Sequence, residues 1–273
     1  MTAHGASREA TAAARERLDA LTDNTSVDAA QLSDELAAVT ALLDREVSLR
    51  RVLTDPAQTA ESKAELAQRL LGSQVSGPAA DLVAGMVRSR WSQSRDLVDA
   101  LEELASLADL TAAQRAGTLD SVEDELFRFG RIVSSSTELR AALTNRKAGI
   151  SAKSELLRSL LGGRAAPTTE RLVTRLVAAP RGRSLEAGLE SLSKLAAERR
   201  DRMVAVVTSA VPLSDPQKQR LGAALAKLYG RTMHLNLDVD SEVLGGIRVQ
   251  VGDEVINGSI ADRIEDAGRR MAG

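Results

Sequence analysis

The feature that most constrains this chain is a match of the sequence to itself. LRRVLTDPAQTAESKAELAQRLLG, starting at Leu49, and LRAALTNRKAGISAKSELLRSLLG, starting at Leu139, align without a gap, with ten of 24 positions identical. The Leu-Thr pair at 53–54 returns at 143–144, the Lys-x-Glu-Leu run at Lys63 returns at Lys153, and Leu-Leu-Gly at 70–72 returns at 160–162. The same 90-residue offset continues from Leu82-Val83 to Leu172-Val173 and from Met86-Val87 to Leu176-Val177. Upstream, Leu36, Val39 and Leu43 face Leu126, Phe129 and Val133. Helices rich in Ala, Leu and Arg resemble one another by composition, but composition does not reproduce Leu-Thr-(Asp/Asn) and Leu-Leu-Gly at fixed spacing. The period exceeds the roughly 20–50 residues of solenoid repeats, so the duplicated object is a helical unit.

Helix formers dominate the first two hundred residues. Leu32, Leu36, Val39, Leu43 and Val47 recur at three- and four-residue steps, which predicts one buried helical face. The same spacing appears at Leu97, Leu101, Leu104 and Leu107, and again at Leu185, Leu189, Leu192 and Leu195, aligned after a two-residue slip. Gly72 and Gly162 read as C-cap glycines, Thr59 and Ser151 as N-caps, and Gly77-Pro78 and Ala166-Pro167 as corresponding helix starts.

At Met203 the period changes. MVAVVTSAVPLS is apolar and β-branched, and reads as a buried strand. Ser214 opens a helix, with Pro216 in its first turn, Gln217 completing a capping box, and Leu221, Leu225 and Leu228 as its apolar stripe. Met233 to Val239 predicts a second strand with Leu235, Leu237 and Val239 on one face, and Ile247, Val249 and Val251 predict a third. Gly245-Gly246 allows a close backbone approach into that strand, Gly252-Asp253 a turn, and Val255-Ile256 a short fourth strand closed by Asn257-Gly258. Ser259 caps a last helix whose final turn carries Arg269 and Arg270. The expected fold is mainly α. A first helical unit (1–110) is followed by a second (111–200, repeating 33–108) and then by a small α+β domain (201–273) of order β-α-β-β-β-α.

These C-terminal residues carry a resemblance. VTSAVPLSDPQKQRLGAALAKLYG followed by LDVDSEVLGGIRVQVGDEVINGSIADRI resembles the delta subunit family of the F-type ATP synthase, whose mitochondrial counterpart is the oligomycin-sensitivity-conferring protein. Pro212, Leu213, Ser214, Gly245, Gly246, Gly252, Asp253, Gly258 and Ser259 are the signature positions. The segment from Leu139 to Arg200 and the opening ASREATAAARERLDAL resemble parts of the six-helix N-terminal domain of that family. The chain departs from the family in length, carrying about one extra helical unit. The resemblance implies a non-catalytic stator subunit. Its helical region would receive N-terminal helices of the alpha subunits, and its C-terminal domain would hold the C-terminal end of the b subunit. It would lie on the cytoplasmic side of the cell membrane, attached only through the complex.

The residues themselves point the same way. With 38 acidic against 36 basic residues and a net charge of -2, nothing argues for nucleic acid or an anionic membrane surface. Only four aromatics occur, Trp91, Phe127, Phe129 and Tyr229, too few for a base-stacking surface. The absence of cysteine excludes disulfides, thiol catalysis and thiolate metal sites. The N-terminus lacks the apolar core of a signal peptide, and the uncharged stretch from Met203 to Ser214 is too short to span a membrane. His234 reads as a structural strand histidine. Asp238, Asp240 and Glu242 mimic a calcium run, but Val243 and Val249 stand where an EF-hand needs Gly and a bidentate acid. Gly245-Gly246 leads into a strand, whereas a phosphate loop must lead into a helix. No catalytic residue, cofactor site or metal site is expected. A free-standing helical adaptor is the alternative reading.

Overall fold

Four helices of the chain return 90 residues later with their ends preserved. In the computed structural model, α2 (Ala29–Arg45), α3 (Val47–Thr54), α4 (Ala60–Leu71) and α5 (Gly77–Arg88) reappear as α7 (Leu119–Ser135), α8 (Thr137–Thr144), α9 (Ile150–Leu161) and α10 (Pro167–Ala178). Before them comes α1 (Gly5–Asp23), between the sets lies α6 (Ser94–Arg115), and α11 (Leu185–Asp201) follows. The structure describes residues 5–23, 26–201, 204–229, 233–240, 246–251 and 254–257, divided into two units at 196/197.

The duplication extends to single hydrogen bonds. Glu35 on α2 accepts the backbone N–H of Ser76 at 3.1 Å and its hydroxyl at 2.5 Å, satisfying the start of α5. Glu125 on α7 accepts the N–H of Ala166 at 2.9 Å and the hydroxyl of Thr169 at 2.5 Å at the start of α10. Each is a carboxylate placed on a helix N-terminus from a neighbouring helix, where orphan amides and the macrodipole both favour it. Asp55 and Asn145 each accept the N–H two residues on, at 2.9 Å, in matching turns. Gly72 and Gly162 are the matching C-caps; a Cβ there would stand 2.7 and 2.5 Å from the carbonyl oxygens of Gln68 and Arg158. Both glycines keep negative φ, so lack of space rather than handedness selects them.

Buried stripes define the core as the sequence predicts: Leu32, Leu36, Val39 and Leu43 on α2, Leu126, Phe129 and Val133 on α7, and the leucines of α6 and α11. Enclosing each leucine stabilises by roughly 1.5–3 kcal/mol before entropy is counted. Two expectations are corrected. Val47 is 41 % exposed, because Glu46, at φ −91 and ψ 76, ends α2 and restarts the chain as α3. Ser151 lies inside α9, whose N-cap is the extended Gly149; Thr59 does cap α4, accepting the Ser62 N–H at 3.2 Å.

α6 belongs to both copies. Shifted by 90 residues, the buried α1 positions Ser7, Ala10, Ala14 and Leu18 fall on Leu97, Ala100, Leu104 and Ala108, all buried on α6. Shifted by 88, Leu97, Leu101, Leu104 and Leu107 fall on Leu185, Leu189, Leu192 and Leu195 of α11. The helix therefore ends the first copy in the place α11 takes in the second, and begins the second in the place of α1. It packs against α1, α2 and α3 of the first copy and α7 and α10 of the second, which explains why every residue from Leu104 to Thr111, Asp109 included, is buried.

The C-terminal unit contains β1 (Val204–Ser209), α12 (Asp215–Tyr229), β2 (His234–Val239), β3 (Ile247–Val251) and β4 (Glu254–Asn257). The sheet order is β2-β1-β3-β4, with β1 and β2 parallel and the other pairs antiparallel. Its core gathers Ala205, Val207, Leu225, Met233, Val249 and Val251. Leu228 is 64 % exposed, correcting the predicted stripe: Leu221, Leu225 and Tyr229 pack on the core at four-residue steps, and Leu228 falls to one side. β2 is an edge strand, and of its predicted apolar face only Leu235 packs on the core, while Leu237 and Val239 are 36 % and 52 % exposed. The expected last helix lies outside the described residues.

Candidate functional site

The signature residues of the C-terminal unit shape its backbone. Pro212, Leu213 and Ser214 form the connection from β1 to α12, and Leu213 packs against the core. The Ser214 N–H and hydroxyl both donate to the Gln217 side-chain oxygen, at 2.8 and 2.9 Å, which makes the reaching-back half of the expected capping box. Gly246 enters β3 at φ 86, a left-handed conformation that favours glycine. Gly245, Gly252, Asp253, Gly258 and Ser259 lie outside the described residues, although Val251 pairs with Glu254 across residues 252–253. Tyr229 donates to Glu254 at 2.9 Å and ties α12 to the far edge strand.

In the helical unit, polar groups collect where the two copies meet. Asp109 of α6 is wholly buried, with Arg171 and Arg175 of α10 each 2.7 Å from one of its oxygens. Arg175 also donates to Ser33 at 2.7 Å and pairs with Asp34, both on α2. Burial raises the Asp109 carboxyl above its usual range, while the two guanidinium groups pull the other way. One turn beyond α10, Arg181 adopts φ 49, and its nearly buried side chain faces Asp44 at 3.4 Å and Glu102 at 3.3 Å. Arg183 pairs with the same Glu102 at 2.6 Å. Such buried pairs contribute little net stability compared with apolar packing but fix one geometry. Sequence reasoning missed this junction, because its partners lie 66 and 141 residues apart with no shared period. Glu35 and Glu125 were findable, since they align in the duplication.

Beside the junction lies a cavity of about 930 Å³, bounded by α1, α2, α6, α10, α11 and the 179–183 turn. Small residues dominate its floor on α11, and six arginines against four carboxylates line it. Among the described residues, no group of His, Cys, Asp and Glu is arranged to hold a metal. The described residues form a helical scaffold and a small mixed-sheet unit.

Comparison with known proteins places that scaffold. The family model described as ATP synthase delta (OSCP) subunit matches residues 106–271, from the second half of α6 through the second copy and the sheet. ATP synthase subunit delta of Streptomyces avermitilis is 85% identical over 272 residues, covering 100% of both chains. The proteins of that name from Thermobifida fusca and Kineococcus radiotolerans are 51% and 44% identical, covering 91% and 98% of this chain and 92% and 98% of theirs. A chain in the Toxoplasma gondii mitochondrial ATP synthase hexamer is similar over 62% of this chain and 95% of its own, with 21% identity and a TM-score of 0.34. The chain belongs to the ATP synthase delta (OSCP) subunit family.

Proposed function

We propose that this chain is a non-catalytic subunit of the peripheral stalk of an F-type proton-translocating ATP synthase. Its helical region receives N-terminal helices of the alpha subunits, and its C-terminal unit holds the C-terminal end of the b subunit on the cytoplasmic face of the membrane. Its work is mechanical: tight, static binding keeps the catalytic head from turning with the rotor. The observation that carries this reading is the family match over 106–271, joined to relatives of the same length across the whole chain. An amphipathic helical bundle is suited to it, since such bundles bind partner helices in the grooves between their own. No helix among the described residues is long and apolar enough to cross a membrane, and attachment through partners requires none.

Crosslinking of the purified synthase, read by mass spectrometry, tests the assignment. Residues 5–201 are expected to link to alpha subunits, and residues 204–257 to the C-terminal end of b. A synthase that purifies intact without this chain would overturn the proposal and favour a free adaptor.

A further inference from the structure

The ion pairs at the copy junction are sorted by sign. Arg171, Arg175, Arg181 and Arg183 come from α10 and the turn after it, in the second copy, and their partners Asp34, Asp44, Glu102 and Asp109 stand on α2 and α6. The repeat does not supply this arrangement. Shifted back by 90 residues, Arg171 and Arg175 fall on Asp81 and Gly85, and the turn carrying Arg181 and Arg183 lies where the offset changes from 90 to 88. Two of the pairs bypass the shared helix: Arg175 to Asp34 and Arg181 to Asp44 run from the second copy directly to α2. Those two acids lie ten residues apart, about 15 Å along the helix at roughly 1.5 Å per residue. One grip would leave α2 free to pivot; two separated grips fix its direction.

Backbone strain marks the same place. Arg181 at φ 49 and Gly182 at φ 79 are successive left-handed residues, and a bulky side chain is rare in that region. Such strain persists only where the surroundings over-determine it. Here Arg95 donates to the Arg181 carbonyl at 3.0 Å, while the Arg181 side chain, almost without access to water, faces Asp44 and Glu102. We infer that these arginines and carboxylates form a clasp that fixes the angle between the two helical copies and makes them one rigid body, so that load on one copy passes to the other without bending α6. Setting register is the best-supported use of buried ion pairs, whose net stabilisation is small. The clasp rests on the helical unit alone, and only its bearing on load rests on the stator reading.

Double electron–electron resonance on the full-length protein tests the clasp. The sequence has no cysteine, so Glu65→Cys and Glu155→Cys place two nitroxide labels at exposed, equivalent positions of the two copies. A single narrow distance distribution is expected. Combining Arg175→Gln, Arg183→Gln and Arg181→Asn, the last chosen because Asn tolerates a left-handed φ, is expected to widen it at least twofold while circular dichroism shows the helices intact. Asp44→Asn with Glu102→Gln, which removes the two acids that Arg181 faces, is expected to do the same and carries the test if the triple variant loses its helices. Arg140→Gln, which breaks the Arg140–Glu186 pair inside the second copy, is expected to leave the distribution unchanged. A broad distribution in the labelled parent, no widening in the folded clasp variants, or equal widening in Arg140→Gln would each overturn the proposal. Crosslinking of the synthase tests the stator reading separately, and its failure would leave the clasp standing.

Discussion

Asp109 has no access to water, faces two guanidinium groups, and still titrates above the ordinary carboxylate value of 3.8 because burial is the larger effect. Asp109→Asn takes the anion from Arg171 and Arg175 but also removes a buried charge, and because burial is the larger effect the expected cost is about 1 kcal/mol, that of the lost hydrogen bonding. Urea unfolding measures it. The pH dependence has a definite sign. Between the raised folded value and 3.8, the folded protein binds a proton that the unfolded chain does not, so the Asp109 contribution grows as pH falls. The stability gap between wild type and Asp109→Asn should therefore widen on acidification; a narrowing gap would mean that the arginines outweigh burial. Glu35→Ala and Glu125→Ala each remove a helix-start carboxylate, and each should cost about 1–2 kcal/mol. Similar losses, measured by thermal melting of the two variants, are the signature of one interaction used twice.

At the scale of elements, the repeated helices were legible because identical punctuation recurs at one offset: Leu-Leu-Gly ends α4 and α9, and a proline opens α5 and α10. Local chemistry suffices for such features. Val47 and Leu228 were misread because a stripe of spacings does not reveal where a helix axis changes or how far a sheet extends beneath it. The double role of α6 was hidden because one helix satisfies two registers, 90 and 88 residues apart, and only three-dimensional packing shows both in use. This architecture predicts the outcome of a deletion. Removing Leu49 to Glu138 joins Ser48 to Leu139 and fuses the start of α3 to α8 as a helix of unchanged length. It leaves α1, α2, the hybrid, α9, α10 and α11, the six elements of one bundle. In that product α1 meets Arg175 where it previously met Gly85. The deletion protein should be helical and melt cooperatively below the full chain, and Arg175→Gly should raise its midpoint. A product without a cooperative transition would show that the copies cannot stand apart.

For the molecule as a whole, the relatives of equal length indicate that the extra helical unit is a property of these chains. On the proposed stator reading, the extra helical unit adds surface for holding partners. The most direct measurement of that claim is proton pumping driven by ATP in inverted membrane vesicles from a strain lacking this chain. The account predicts that ATP hydrolysis persists while pumping is lost, and that the full-length chain added back restores it. Pumping that continues undiminished in the chain's absence would contradict it.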